Sequence, residues 1–372
     1  MRGNNVLGLV FANVHDEEVP ELTGIRSMAS VPFGGGYRLV DFALSNLVNA
    51  GVTKVGVLTN NNYQSLMDHI GSGKPWDLAR KNDGLYFLPP FNATAVRNYN
   101  AGEVGALHNI LNFLERSEQE YVFMTSCSYV ANIDLEAVFA AHEQSGADIT
   151  MVSHVGVAPG FETQPIVESK FGDMITSLRL GEPTGGEEEY LLTNCLLKKS
   201  LVERLVREAF SRGEYSLFKD VLRRAVGRVK IHTYEHKGFV ANVNSLAAYF
   251  KGNFDLLRRE NYESLFCPSR PVMTKVYEDM PAVYGIGSNV RASLVADGCI
   301  IDGTVENCIL FRGCRVEKGA EVKNSILMPM AFVGEGAKLN YVLADKSVSV
   351  RSGKTLSGAD TYPVYIGKEI QI

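Results

Sequence analysis

Glycine-rich and acidic residues near position 40 give the sequence its first candidate chemistry. Gly34, Gly35 and Gly36 stand in a row, and successive glycine N–H groups can form a concave nest that holds a phosphate. The same run also suits a turn that enters the next strand. Asp41 follows, and a carboxylate there can bind a metal ion or cap a helix, of which capping is the commoner role.

The histidines and cysteines do not form a metal-binding pattern. The seven histidines are scattered, and none of the six cysteines belongs to a Cys-x-x-Cys pair or stands at metal-site spacing with a histidine. Such cysteines are typical of small buried residues in a reducing compartment. We therefore expect a cytoplasmic protein without a zinc site.

Length and composition indicate a two-domain globular protein. The chain has 372 residues, 45% hydrophobic and 21% charged, with a net charge of −5. This length exceeds what one hydrophobic core normally serves, and the composition excludes a disordered chain and a coiled coil. The lack of basic clusters predicts no nucleic-acid partner. Apolar runs such as 6–12 are too short to span a membrane, so no membrane partner is expected.

Strand-like and helix-like segments alternate through residues 1–252, the first predicted domain. Strands are predicted over 6–13, 53–59, 121–126 and 148–154, and helices over 41–50, 63–71, 103–117 and 135–145. Buried strands that alternate with helices predict an α/β fold with a mostly parallel sheet covered on both faces. Ligands bind such sheets beyond the carboxyl ends of the strands.

The end of the chain carries a six-residue repeat. One apolar series comprises Cys308, Cys314, Ala320, Ile326 and Phe332, and a second, two places later, comprises Leu310, Val316, Val322 and Met328. This period predicts a parallel β-helix with an inward residue stack on each face, although an ordinary antiparallel β-domain is the alternative. The predicted domains are thus 1–252, a linker over 253–285, and a β-helix over 286–372. A short solenoid has an open end, which favours oligomerisation.

Two motifs resemble a known enzyme family. Residues 31–46 read Val-Pro-Phe-Gly-Gly-Gly-Tyr-Arg-Leu-Val-Asp-Phe-Ala-Leu-Ser-Asn, and residues 216–222 read Ser-Leu-Phe-Lys-Asp-Val-Leu. Both are similar to stretches of glucose-1-phosphate adenylyltransferases (ADP-glucose pyrophosphorylases), and the similarity covers essentially the whole chain. The resemblance implies a nucleotidyltransferase-like (Rossmann-like) domain followed by a left-handed parallel β-helix. It also implies tetramers that serve glycogen synthesis.

The family's phosphate cradle is missing from the loop after the first strand. There the family carries a glycine-rich run with an arginine, whereas this chain has Asp16, Glu17 and Glu18. A triphosphate would be repelled by these like charges, by about 1–4 kcal/mol per close pair. We therefore expect that this loop does not hold ATP as the family does.

Four further family positions have lost their charged side chains. Met28 stands where the family has a lysine, Gly105 where it has an aspartate, and Ser128 and Asn242 where it has two metal-binding aspartates. A thioether cannot neutralise a phosphoryl oxygen, and two neutral side chains cannot offset Mg²⁺. We therefore expect no catalytic residue, metal or cofactor in this chain.

The resemblance then favours a non-catalytic subunit that activates a catalytic partner. The partner would be a catalytic glucose-1-phosphate adenylyltransferase subunit that uses Mg²⁺, in a hetero-oligomer, expected to be a tetramer, with a sugar phosphate as effector. One alternative is an active enzyme whose metal is held by Asp16, Glu17 or Glu18. Another is a module that senses sugar phosphates or nucleotides through a vestigial pocket at Ser30, Asn60, Asn61, Asn62 and Ser128.

Overall fold

The computed structural model describes residues 1–90, 94, 97, 102–159 and 165–372. An α/β domain is followed by a parallel β-helix, which confirms the predicted architecture. The strands of the α/β domain are β1 Val6–Phe11, β2 Pro32–Phe33, β3 Tyr37–Arg38, β4 Lys54–Leu58, β5 Gly84–Leu88, β6 Tyr121–Ser126, β7 Tyr129–Val130, β8 Ile149–Val157, β9 Pro165–Phe171, β10 Met174–Leu180, β11 Glu187–Lys198, β12 Ile231–Glu235 and β13 Ala241–Asn242.

The main sheet is mixed, with its parallel part where the cleft lies. Its order in the described residues is β5-β4-β1-β6-β11-β8-β12-β10-β9. The first four of these strands run parallel to one another, and β11 runs antiparallel to both β6 and β8. Every residue of β1 is buried, as its apolar composition predicts. Because Phe11 pairs with Ser126, the carboxyl ends of β1 and β6 meet at one edge of the sheet.

Helices cover both faces of this sheet. The α-helices of the described residues are Pro20–Thr23, Leu39–Asn49, Gln64–Ile70, Gly102–Asn109, Leu111–Glu115, Leu135–Ser145, Lys199–Ser211, Arg223–Ala225, Leu246–Asp255 and Arg259–Leu265. The helix predicted over 135–145 matches at both ends. The single helix predicted over 103–117 is wrong, because Ile110 leaves the helical conformation at φ −106° and splits it in two.

Asp41 is a helix cap, as expected, but from inside the helix. The Arg38 N–H donates to its carboxylate at 2.9 Å, which closes a capping box at the third helical position. His69 Nε2 and the Thr274 hydroxyl, each at 2.6 Å, also contact the carboxylate. Three polar partners occupy this buried side chain, so it holds the fold together.

The chain between the two domains combines helix and extended backbone. The helix Arg259–Leu265 lies inside the predicted linker. Extended chain then runs to the first β-helix strand, Val283–Tyr284. Asn132 fixes the start of this stretch, since its Nδ2 donates to the carbonyls of Leu265 and Arg270, both at 2.8 Å.

Three parallel sheets form the β-helix. The first comprises Val283–Tyr284, Ile300–Ile301, Arg315–Val316, Phe332–Val333 and Ser349–Val350; the second Asn289–Arg291, Thr304–Glu306, Glu321–Lys323, Lys338–Asn340 and Thr355–Ser357; the third Leu294–Val295, Ile309–Leu310, Ile326–Leu327, Val342–Ala344 and Val364–Ile366. Each strand pairs in parallel with its equivalent in the next coil, as a left-handed parallel β-helix requires.

The predicted inward stacks slip after Ala320. Arg315, Phe332 and Ser349 are neighbours in register, so each of these coils is one residue shorter than three hexapeptides. The steps from Ala320 to Ser325 and from Ala337 to Val342 are therefore five residues long instead of six. The whole buried series comprises Cys308, Cys314, Ala320, Ser325, Ala331, Ala337, Val342 and Val348. The assignment of Ile326, Met328 and Phe332 to the inward stacks is wrong for this reason.

Two of the residues displaced from the inward stacks, Ile326 and Met328, belong to the domain interface. Ile309, Ile326 and Leu343 occupy one register row of the third sheet, and together with Phe311 and Met328 they join the apolar core of the α/β domain. The third sheet thus packs on the α/β domain. The first and last coils of the solenoid each have a neighbouring coil on one side only.

Candidate functional site

A cleft opens at the carboxyl ends of β1 and β6, where the parallel part of the sheet predicts it. It encloses about 280 Å³. Its polar and charged lining comprises His15, Glu17, Glu18, Glu103, Ser128, Thr193, Ser216, Lys219 and Asn242, and its apolar lining includes Val14, Tyr129, Tyr215 and Phe218. The loop after β1, the helix beginning at Gly102 and the β7–β13 ribbon supply most of these side chains.

The acidic loop after β1 is bonded to the protein itself. Asp16 accepts the Met28 N–H at 2.7 Å and the Asn13 Nδ2–H at 2.6 Å. Burial nevertheless raises the pKa of Asp16 to about 7, against these two hydrogen bonds. One oxygen of this carboxylate therefore holds the loop onto the turn at Met28, and the other is bonded to Asn13 within the loop.

His15 lies between two glutamates of the cleft. Its Nδ1 is 3.1 Å from Glu18, and its Nε2 is 3.8 Å from Glu103. Burial by itself would lower the pKa of His15, but the hydrogen bond and charge of Glu18, with the charge of Glu103, raise it. Glu103 is buried and also accepts the Leu217 N–H at 3.2 Å. The two carboxylates thus favour the protonated form of His15, whose charge offsets part of theirs.

The two positions aligned with the family's metal ligands lie side by side. Asn242 pairs with Tyr129 in the β7–β13 ribbon, and the Val243 N–H donates to the Ser128 carbonyl at 2.8 Å. The Ser128 hydroxyl is 2.9 Å from that of Ser126. A hydroxyl and an amide carry no charge, so these residues do not fit Mg²⁺. Across the part of the chain that the structure describes, no group of three histidine, cysteine or acidic residues is arranged to hold a metal ion.

The remaining family positions have become structural. Met28 is 2% exposed and belongs to the apolar core, so its side chain is absent from the cleft. Gly105 is buried inside the helix Gly102–Asn109. Arg26, two residues before Met28 in the sequence, donates to both oxygens of Asp345 at 2.7 Å, across the interface with the β-helix. From the segment around Met28, no cationic side chain reaches the cleft to contact a phosphoryl group.

The structure distributes the five residues of the predicted vestigial pocket over three cavities. Asn60, Asn61 and Asn62 line a cavity of about 360 Å³ beside the cleft. Ser128 lines the cleft itself. Ser30 lines a third cavity, of about 110 Å³, between the two domains. The three asparagines are therefore the part of this set that the fold brings together.

The cavity between the domains is strongly cationic. Arg26, Arg38, Arg312, Lys346 and Lys368 line it, and none of its described lining residues is acidic. Burial lowers the pKa of Lys346, and the neighbouring cations lower it further. The same two causes lower the pKa of Arg38, against the opposing charges of Tyr277 and Asp41. Like charges held this close favour an anion between them.

Sequence reasoning missed several side chains of the cleft, among them His15, Thr193 and Lys219. His15 was one of several scattered histidines, Thr193 belongs to β11, which was not among the predicted strands, and Lys219 lay in a motif used only for resemblance. The position of His15 just after a buried strand was a usable signal, since loops at strand ends carry sites in α/β sheets. Thr193 comes from the antiparallel strand β11, which no local pattern places beside β6.

Comparison with known proteins agrees with this fold. Residues 20–164 match the nucleotidyl transferase family, and residues 281–362 match the GlmU-like, C-terminal hexapeptide family. The chain is therefore a nucleotidyltransferase-type protein with a hexapeptide β-helix. The described residues contain no helix long and apolar enough to cross a membrane.

Two relatives place the chain more closely. It is similar to glycogen biosynthesis protein GlgD of Bacillus subtilis (strain 168), at 32% identity over 99% of this chain and 97% of that protein. It is also similar to GlgD of Geobacillus stearothermophilus, at 36% over 86% of this chain and 83% of that one. Glucose-1-phosphate adenylyltransferase of Clostridium perfringens (strain SM101 / Type A) is 28% identical over 100% of this chain and 97% of its own. The chain belongs to the GlgD family of glycogen biosynthesis proteins.

Proposed function

We propose that this protein is a non-catalytic subunit that activates a catalytic glucose-1-phosphate adenylyltransferase subunit in glycogen biosynthesis. The observation that carries the proposal is the chemistry of the cleft. The family reaction joins ATP to glucose 1-phosphate and needs cations and a metal around the phosphates. The cleft offers Glu17, Glu18 and Glu103 there, with neutral Ser128 and Asn242 at the aligned metal positions.

The proposed action is a shift in the conformation of the partner. Contacts that bind the active form of a neighbouring subunit more tightly raise its population. A tenfold to hundredfold activation needs only about 1.4–2.7 kcal/mol of coupling free energy. In this proposal the assembly is a hetero-oligomer, a tetramer, in the cytoplasm. The partner binds Mg²⁺, and this chain binds no cofactor.

Reconstitution with a catalytic homologue from the same genome tests the proposal. The two purified chains are mixed, and the mass of the assembly, kcat and KM are compared with those of the catalytic chain alone. The proposal expects a mixed assembly whose kcat/KM is higher by about ten- to a hundredfold. No mixed assembly, or a mixed assembly with unchanged kinetics, would contradict it.

The alternative of an active enzyme with substitute ligands is disfavoured by Asp16. Its carboxylate is already bonded to Met28 and Asn13. Glu18 contacts His15, which leaves Glu17 as the acidic side chain of this loop with no ion pair in the described structure. One carboxylate does not make a magnesium site.

The cationic cavity between the domains supports a further role, the binding of a ligand by this chain. We propose that it holds the sugar-phosphate effector of the complex, because five cationic side chains line it. Arg26, Arg312 and Lys368 are each paired with an acidic side chain, which leaves Arg38 and Lys346 without an ion pair in the described structure. Calorimetry with fructose phosphates, ATP and ADP-glucose tests this on the isolated chain. Lys346→Gln should weaken binding of the effector, whereas Lys338→Gln, on the exposed second sheet, should leave its affinity unchanged. If none of these compounds gives a heat of binding, the proposed role of the chain is limited to its contacts with the partner subunit.

A further inference from the structure

The cleft at the end of β1 and β6 holds unused hydrogen-bonding capacity. Three of its lining residues keep a buried polar atom without a hydrogen-bond partner, namely His15 Nε2, Thr193 Oγ1 and Asn242 Nδ2. Buried polar atoms in folded proteins nearly always have a partner. Their concentration around one cavity indicates that a polar molecule completes them.

The charges of the cleft select against phosphate. Glu17, Glu18 and Glu103 outnumber Lys219 and a protonated His15. A sugar phosphate or nucleotide placed here would meet more negative than positive charge. The buried Glu103, by contrast, is a good acceptor for a hydroxyl group.

The shape of the cleft fits one sugar ring. Its volume of about 280 Å³ lies just below the range of drug-sized ligand pockets, about 300–1,000 Å³, so it suits a small ligand. Tyr215 is 61% exposed at the cleft, while Phe218 is buried in its wall. An exposed aromatic ring beside polar groups suits the two faces of a hexose, one of C–H groups and one of hydroxyls.

We propose that the cleft binds an uncharged hexose, with Asn242, Thr193 and Glu103 contacting its hydroxyls and Tyr215 its C–H face. This assigns a ligand that carries no phosphate to the place where relatives would bind phosphorylated substrates. The inference does not depend on activation of a partner. It uses only the geometry and charge of this chain.

Saturation-transfer NMR on the full chain tests the proposal with D-glucose and glucose 1-phosphate as probes. D-glucose should receive magnetisation, and glucose 1-phosphate should bind at least about tenfold more weakly because of its charge. Thr193→Val and Asn242→Leu should each lower the affinity for D-glucose by about two- to tenfold, the effect of one hydrogen bond. Tyr215→Ala should weaken it too, whereas Tyr362→Ala, exposed on the β-helix, is the matched control.

Three results would overturn this assignment. They are the absence of saturation transfer to D-glucose, unchanged D-glucose binding in both Thr193→Val and Asn242→Leu, and tighter binding of glucose 1-phosphate than of D-glucose. Thermal unfolding of each variant shows that it is folded. Because reconstitution with a catalytic chain is a separate assay, failure here and failure of the proposed function are distinguishable.

Discussion

Replacing Arg26 by Met should uncouple the two domains. Arg26 donates to both oxygens of Asp345, which is 0% exposed, at 2.7 Å. Removing one partner of a buried ion pair costs about 3–5 kcal/mol, because the other charge stays buried. The Lys346 N–H still donates to Asp345 at 2.6 Å, and the Tyr365 hydroxyl, whose one proton is shared with the Glu21 carbonyl, lies 2.9 Å from Asp345. We therefore expect a loss near the lower end, about 3 kcal/mol.

Urea unfolding of three variants measures this value. Trp76, the sole tryptophan, is fully buried in the α/β domain, so its fluorescence reports unfolding there. Combining Arg26→Met with Asp345→Leu should recover most of the loss, since no unpaired charge remains and Tyr365 keeps its bond to the Glu21 carbonyl. Lys338→Met, which breaks an exposed pair with Glu321, should cost less than about 1 kcal/mol. A loss for Arg26→Met no larger than that for Lys338→Met would show that the buried pair contributes no more to stability than an exposed one.

Three further changes have defined outcomes. Ser128→Asp combined with Asn242→Asp should raise Mn²⁺ affinity, measured by electron paramagnetic resonance, by at least about tenfold with little pyrophosphate release, since Met28 and the acidic loop remain; high turnover would show that the loop matters less. Burial, then His154, lowers the pKa of His236 to about 4. As pH falls from 7 to 4, His236 is therefore protonated in the unfolded chain before it is protonated in the folded protein, which favours unfolding. Up to about 3 kcal/mol of unfolding free energy should be lost over this range, and His236→Gln should reduce that loss. Asn324→Ala should lower the melting temperature, as Asn324 has φ +45° and links Asn307 to Asn340; an unchanged melting temperature would make this ladder dispensable.

Local patterns predicted the α/β domain well. Helix Leu135–Ser145 and strand Tyr121–Ser126 match their predicted bounds because apolar spacing and capping residues are local signals. The break at Ile110 was not predictable, because its apolar stripe continues through it. The β-helix period was visible in the sequence, but the five-residue step at Ser325 depends on how each coil closes.

The sequence predicted which charged side chains of the family's site are replaced in this chain, but it did not predict most of the contacts around the site. Comparison of motifs pointed to Ser128 and Asn242, and the fold places them in adjacent segments of the cleft. The bond from Met28 to Asp16 and the ion pair of Arg26 with Asp345 were not visible, since they join residues distant in the chain or in different domains. Such contacts follow from tertiary packing, which no local pattern records.

Pyrophosphate release is the most direct test of the central claim that this chain modulates chemistry done by a neighbour. The purified chain is incubated with ATP, glucose 1-phosphate and Mg²⁺, alone and with the catalytic homologue. We expect background release from the isolated chain, and a higher rate from the mixture than from the catalytic chain by itself. Turnover well above background by the isolated chain, or no change in the mixture, would contradict it.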